Sequence, residues 1–388
     1  MRAFVSKTDT RIMPFNEHPQ ELLIQNKKLL EHQNEILKQL GIEYEQSNNL
    51  TSESERIIFK DTVFFSKRLI ESFIEKSRKI GKPTQCILKK GNFTKTTVSS
   101  VMDLDDLGQS LGYRLYYIPS SRKVAKEFFP VEIDPDEFIQ NLRFPQHLVD
   151  QGKYPITITT KILVQIEHWT NLWACNLQNM LSRIAKLKGN RFKQLRLALT
   201  SFSKNQWKVL EKNVKIGKNC DIHPTAYIED SIIGDGVEIG ANCVIRGSMI
   251  GDSSVLMNNV NVIHSVLGNN CQLWDGVTTT YSLLFSGSFV TARLLNCSVL
   301  GRNSFLPNGT IITDLRFDDR NVKILKDGKL YDSGNRFLGF CLGHDSYLGS
   351  GIVVEPGREI PNNVKLVPKN NITLSSFDKL EGFKIFQK

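Results

Sequence analysis

The chain has 388 residues, is 40% hydrophobic and 23% charged, and carries a formal net charge of +10. That length supports two or three domains with real cores, and no run approaches the roughly 18 uninterrupted apolar residues of a membrane span. The start, MRAFVSKTDTRIMPF, lacks the apolar core and small-residue cleavage site of a signal peptide, so a cytoplasmic location is the expectation.

In chain order, residues 1–160 read as an α/β domain. Leu29, Leu30, Ile36, Leu37 and Leu40 fall on one side of a helix, with Gly41 as its stop. The segment IIFKDTVFFSKRLIESFIEKSRKIGK reads as a strand, a turn and a helix ending at Gly81, and TQCILKKG as another strand. EYEQSNNLTSESE reads as a loop. Residues 161–205 form a basic helical linker. Between Lys161 and Cys220 stand twelve Lys and Arg against Glu167 and Glu211, a local balance equal to that of the whole chain. The rest is therefore neutral, which excludes a general nucleic-acid-binding protein. The basic segment reads first as a solvated helix face. A phosphate-rich ligand, an acidic neighbouring domain or a membrane surface are the sharper readings.

From Ile216 an aliphatic residue recurs every six positions, with occasional steps of five: Ile216, Ile222, Ile228, Ile233, Ile239, Ile245, Ile250, Leu256, Val262, Leu267 and Leu273. The series returns at Leu300, Leu306 and Ile312, and again at Leu342, Leu348, Val354, Ile360 and Leu366. Such a period fits a parallel β-helix over residues 206–370, with stacked inward anchors and corners turned by Gly, Asn and Asp. Residues 371–388 are a C-terminal tail. Cysteines 86, 175, 220, 243, 271, 297 and 341 include no C-x-x-C pair and read as small apolar fillers, not disulfides or zinc ligands.

The hexads resemble the left-handed β-helix of hexapeptide-repeat acyltransferases. The interrupted stretch 309–351, GTIITDLRFDD…VKILKDGKLYDSGNRFLGFCLGHDSYLGSG, resembles a loop of two-domain sugar-1-phosphate nucleotidyltransferases with a C-terminal acetyltransferase domain, the N-acetylglucosamine-1-phosphate uridylyltransferase type. DTRIMPFNEHPQELL and VQIEHWTNLWACNL resemble nucleotidyltransferase segments of the same family. The resemblance implies a reduced nucleotidyltransferase-like α/β domain followed by a left-handed parallel β-helix, a homotrimer, acetyl-CoA or another acyl-CoA as cofactor, Mg²⁺ at the N-terminal domain, and a sugar phosphate or nucleotide sugar as ligand.

The departures bear on activity. The family's glycine-rich phosphate loop is here Ser6-Lys7-Thr8-Asp9-Thr10-Arg11, without glycine and with an acid where phosphates would lie. Gln20 stands where the family has lysine. Thr10 and Arg11 remain as a degenerate nucleotide site, and Asp61 matches the family's metal-binding acid. Acyl transfer needs a general base, but the coil before the loop offers Thr291 and Ala292 where the family has histidine. His264 is the substitute candidate. His223 and His344 are weighed beside it, His344 as a residue facing phosphate or cofactor. Arg316, Lys323 and Arg336 on the loop are candidate phosphate contacts. For each histidine an exposed corner position is the plainer account. Three readings follow: an acyl transferase acting on a sugar phosphate or nucleotide sugar, a sugar-1-phosphate nucleotidyltransferase, or a non-catalytic oligomeric sugar-nucleotide-binding scaffold.

Overall fold

The structure is a computed structural model that describes residues 1–45, 54–120, 127–203, 205–316, 318 and 320–368. The N-terminal part is a mixed sheet whose strands lie in the order Phe129–Glu132, Thr84–Lys89, Ser110–Ile118, Arg56–Lys60, Arg2–Ser6, Glu43–Glu45, with Asp105–Asp106 added beside Ser110–Ile118. Arg2–Ser6 is parallel to both of its neighbours, whereas Ser110–Ile118 runs antiparallel between Arg56–Lys60 and Thr84–Lys89. Two helices cover it, α1 (Leu29–Gln39) and α2 (Lys67–Ile80). α2 buries Leu69, Ile70, Phe73, Ile74 and Ser77, one helical stripe. It ends at Gly81, whose φ of 66° is the left-handed cap a glycine adopts without strain.

The expected helices and strands of this half are present. The loop reading of EYEQSNNLTSESE is corrected at one end. Glu43–Glu45 is an edge strand paired with Arg2–Phe4, because Ile42 packs inward and sets its register; residues 46–53 lie outside the described residues, as does the tail 371–388. A short helix α3 (Asn92–Thr96) and a hairpin of Phe138–Arg143 with Lys153–Ile158 complete this part.

The C-terminal part is a left-handed parallel β-helix. Its three faces carry eight, eight and five stacked strands, and Ile311–Ile312 pairs with Val353–Val354 beyond the third. Every anchor from Ile222 to Ile360 named from the sequence sits at an inward position of a coil or packs against that interior. The series does not pause between Leu273 and Leu300. Thr279, Leu284, Val290 and Leu295 carry it through in register. The polar Thr279, fully buried, hid the repeat.

Helix α4 (Trp169–Lys188) lies between the two parts. Trp169, Leu172, Trp173, Ala174 and Cys175 are all buried, and the Trp173 indole N–H donates to the Tyr281 carbonyl at 2.7 Å. Two smaller helices follow, α5 (Arg191–Ser201) and α6 (Gln206–Glu211).

The first β-helix face does not meet water where the N-terminal part covers it. Its outward residues Val266, Leu283, Val299 and Cys341 belong to the same buried cluster as the N-terminal sheet. On those coils both strand residues are apolar (Val266-Leu267, Leu283-Leu284, Val299-Leu300, Cys341-Leu342), whereas the exposed first coil alternates as Lys215-Ile216. A strand buried on both sides loses its polar alternation. All seven cysteines are free and six are buried, in keeping with filler roles.

Candidate functional site

The N-terminal loop folds onto Asp61. The Thr8 backbone N–H donates to Asp61 Oδ2 at 2.7 Å and the Thr8 hydroxyl to Oδ1 at 2.8 Å. His18 Nδ1 accepts from the Gln20 N–H, so Nε2 carries the proton and donates to Asp61 Oδ2 at 3.0 Å. Asp61 has no exposed surface. A divalent magnesium ion needs open carboxylate oxygens and keeps several waters. Both oxygens of Asp61 are taken and enclosed, so the residues here do not fit Mg²⁺. Gln20 turns inward and bonds to Gln33 at 2.9 Å, and Gln33 in turn reaches the Asp61 and Val63 carbonyls. Gln20 thus brings no positive charge to the position where the family has lysine. Arg11 is exposed and Thr10 half-buried on the outer turn.

The histidines separate. His264 stacks on Tyr281, ring centroids 5.5 Å apart at 19°. Burial, with Arg246 nearby, holds its pKa down to about 4, so the imidazole is neutral and weakly basic near neutrality. His223 is at a corner and pairs with Thr225. His344 is buried against Phe15 and Phe285, accepts the Arg302 N–H at 2.8 Å, and faces Glu17 at 3.6 Å. It joins the two parts of the chain rather than facing solvent.

The loop between Ile312 and Cys341 does not stand off the β-helix as an open flap. Its hairpin, Lys323–Lys326 with Lys329–Asp332, packs on the N-terminal part. Val322, Ile324 and Leu338 are fully buried there. Lys326 Nζ donates to the Val101 carbonyl at 2.6 Å, the Ser100 hydroxyl to the Asp332 carbonyl at 2.6 Å, and Arg336 to the Leu148 carbonyl at 2.6 Å. His168 Nε2 meets the Leu325 carbonyl at 3.1 Å. Phe337 stacks on Phe144 at 5.0 Å and meets Tyr154 edge-on. Arg316 pairs with Asp318, Lys323 is exposed on the hairpin, and Arg336 is committed to Leu148. These three cations do not share one set of partners, and none lines the cavity beneath the loop.

That cavity, of about 200 Å³, is bounded by the Phe138–Ile158 hairpin, α4, the third β-helix face and the root of the loop. Its walls are Phe144, Tyr154, Trp173, Tyr281 and Phe337; its polar groups are Thr96, Thr280, Asn296, Asp314 and Asn335. The Thr280 hydroxyl donates to Asn296, whose amide donates to Asp314 Oδ2 at 3.1 Å. Neither Lys nor Arg is among the lining residues. Sequence reasoning missed this site, although Thr280 and Asn296 follow one another on adjacent coils of one face.

Residues 204–285 match the family described as the GMPPB C-terminal domain. A bifunctional sugar-1-phosphate nucleotidylyltransferase/acetyltransferase of Sulfurisphaera tokodaii is 34% identical over 71 residues, 18% of this chain and 18% of that protein. Over that stretch the chain is similar to a sugar-1-phosphate nucleotidyltransferase/acetyltransferase. The matched stretch spans less than a fifth of that relative's length. Two solved structures are also similar. The polysialic acid O-acetyltransferase OatWY has 23% identity over 39% of this chain and 74% of its own, with a TM-score of 0.16. The UDP-N-acetylglucosamine acyltransferase from Campylobacter jejuni has 13% identity over 39% and 60%, with a TM-score of 0.24. Against the family that the sequence resembles, the chain departs at the loop of residues 6–11 and at Thr291 and Ala292. No helix among the described residues is long and apolar enough to cross a membrane.

Proposed function

We propose that the protein binds a sugar in the interdomain cavity and is a non-catalytic binding member of its transferase family. The observation that carries this reading is the cavity's lining. Aromatic walls suit the apolar faces of a sugar ring, and the Thr280–Asn296–Asp314 chain supplies acceptors and donors for hydroxyl or amino groups. Pockets for drug-sized ligands measure about 300–1,000 Å³; about 200 Å³ is room for one sugar ring. With one carboxylate and no cation in the lining, a phosphorylated sugar is disfavoured there. The occupied Asp61 supports the absence of nucleotidyl transfer. A division of the chain near residue 205 and a homotrimer formed through the β-helix belong to the same proposal.

The test is calorimetry with glucose, glucosamine, N-acetylglucosamine and their 1-phosphates on wild type, Asp314→Asn and Phe337→Ala. Binding of a parent sugar, weakened in both variants, is the expected result. A 1-phosphate that binds more tightly than its parent sugar overturns it. Pyrophosphate release from a nucleoside triphosphate at about 1–10³ s⁻¹ overturns the non-catalytic part.

Acyl transfer from an acyl-CoA to an amino sugar is the second reading. His264 lies in a small cleft that shares Trp173, Leu177 and Tyr281 with the cavity. The Tyr281 ring stacked on it has to move before the imidazole meets a ligand. Acetyl-CoA-dependent thiol release with glucosamine, lost in His264→Gln, would favour this reading.

A further inference from the structure

We propose that α5 docks the protein on an anionic lipid surface. The helix is apolar on two sides. Leu197, buried, seats it among α4 and α6. On the other side Phe192 (79% exposed), Leu195 (58%), Leu199 (65%) and the following Phe202 (97%) stand in water. The spacing of three and four residues places Phe192, Leu195 and Leu199 on one helical face, and Phe202 follows just past the helix end with a φ of 48°. Among the described residues the ridge is mostly exposed, so little of the described core rests on it. Scattered exposed apolar residues need no explanation, but a contiguous ridge of this kind marks an interaction surface.

The charge around the ridge selects the occupant. From His168 to Leu210 the sequence has eight Lys and Arg and neither Asp nor Glu. Arg191 and Arg196 are exposed on α5 itself, Lys186 on α4 and Lys208 on α6. A second copy of this chain, meeting the ridge through the same surface, would set cations against cations. The complementary surface is therefore acidic. A helical ridge is convex; this one has aromatic residues at both ends, and on α6 Trp207, 44% exposed, carries the Arg246 guanidinium 5.0 Å over its ring. Short basic helices with Phe, Leu and Trp on the apolar side lie in the headgroup region of anionic bilayers, a soft surface that accepts a convex ridge without a preformed groove.

The experiment is sedimentation of the full chain with vesicles of phosphatidylcholine alone and of phosphatidylcholine mixed with phosphatidylserine, at low and high salt. Binding to the mixed vesicles only, weakened by salt, is expected. The double variant Phe192→Ser/Leu199→Ser should bind at least about tenfold less, with an unchanged thermal midpoint because both side chains are exposed. Arg196→Glu should weaken binding too. Absence of binding to mixed vesicles, equal binding to neutral ones, or binding that the double variant leaves intact each overturns the proposal. Capture of poly-glutamate through α5 without vesicle binding assigns the ridge to an acidic protein and also overturns it.

Discussion

Arg302, on the β-helix, pairs with Glu17, on the N-terminal loop, across 285 residues of sequence. His344 faces the same carboxylate. The pair sits where the first face of the β-helix meets the N-terminal part, beside Phe15 and Phe285. Burial alone would raise the Glu17 pKa; the hydrogen bonds and charge from His344 and Arg302 outweigh it and lower the pKa to about 2.

Glu17 should make stability depend on acid. An ordinary glutamate titrates near 4.5, so the unfolded chain takes up this proton first. The contribution is complete above about pH 4.5 and disappears as pH falls toward 2. Glu17→Gln should lose about 2–3 kcal/mol at neutral pH and flatten that acid window. Urea denaturation of both proteins from pH 7 down to pH 3 checks it.

His264 and His168 act in a higher window. Burial depresses both to about 4. Their folded pKa values lie below the unfolded value of 6.5, so their effect on stability is fully retained above pH 6.5 and is lost as pH falls toward 4. His264→Phe keeps a ring against Tyr281 and removes the proton acceptor. Its stability should therefore vary less than wild type between pH 6.5 and 4, by about 1–3 kcal/mol. Thermal or urea unfolding across that range measures the difference.

Asp61 should behave as a structural acceptor. Asp61→Ala strands the Thr8 and His18 donors and should cost about 3 kcal/mol. Magnesium chloride should leave the wild-type melting temperature unchanged. A magnesium-dependent rise in wild type that Asp61→Ala abolishes would show that the ion displaces Thr8 and His18.

Gly339 is where the chain re-enters the β-helix. A Cβ there would lie 2.0 Å from Ser298 Oγ and 2.2 Å from the Asn296 carbonyl. Gly339→Ala must push backbone aside and should destabilise by about 3 kcal/mol or more, whereas Gly328→Ala, on an open hairpin tip, should cost about 1 kcal/mol through its positive φ alone. Denaturant midpoints for the two variants compare them directly.

The β-helix was legible because each inward anchor repeats on a fixed period and each coil repeats the same interior. His264 and Tyr281, seventeen residues apart and so on adjacent coils, were equally legible in principle. Their stacking follows from the same register that pairs Val266 with Leu283. The doubled apolar pairs on the covered coils stand in the sequence as well, but the hexad reading followed only the inward anchors. The destination of the loop was not readable: Phe337 finds Phe144 and Tyr154, and Arg336 finds Leu148, through tertiary contacts that no local pattern encodes. Asp61 matched a family position, but its role is decided by Thr8 and His18, which only the folded loop brings to it.

The departure of the chain between Ile312 and Cys341 also makes the pairing of the last coils longer in sequence than that of the others. A stack of coils ordinarily grows by nearest-neighbour zippering. Here Val299 must pair with Cys341, and Ile311 with Val353, across an interruption that settles on the N-terminal part. Closing that interval costs loop entropy before any new coil returns it. The hairpin's contacts with the N-terminal part offset some of that cost in the folded state. The N-terminal part, on which the hairpin rests, thus also holds together the coils that the interruption separates in sequence.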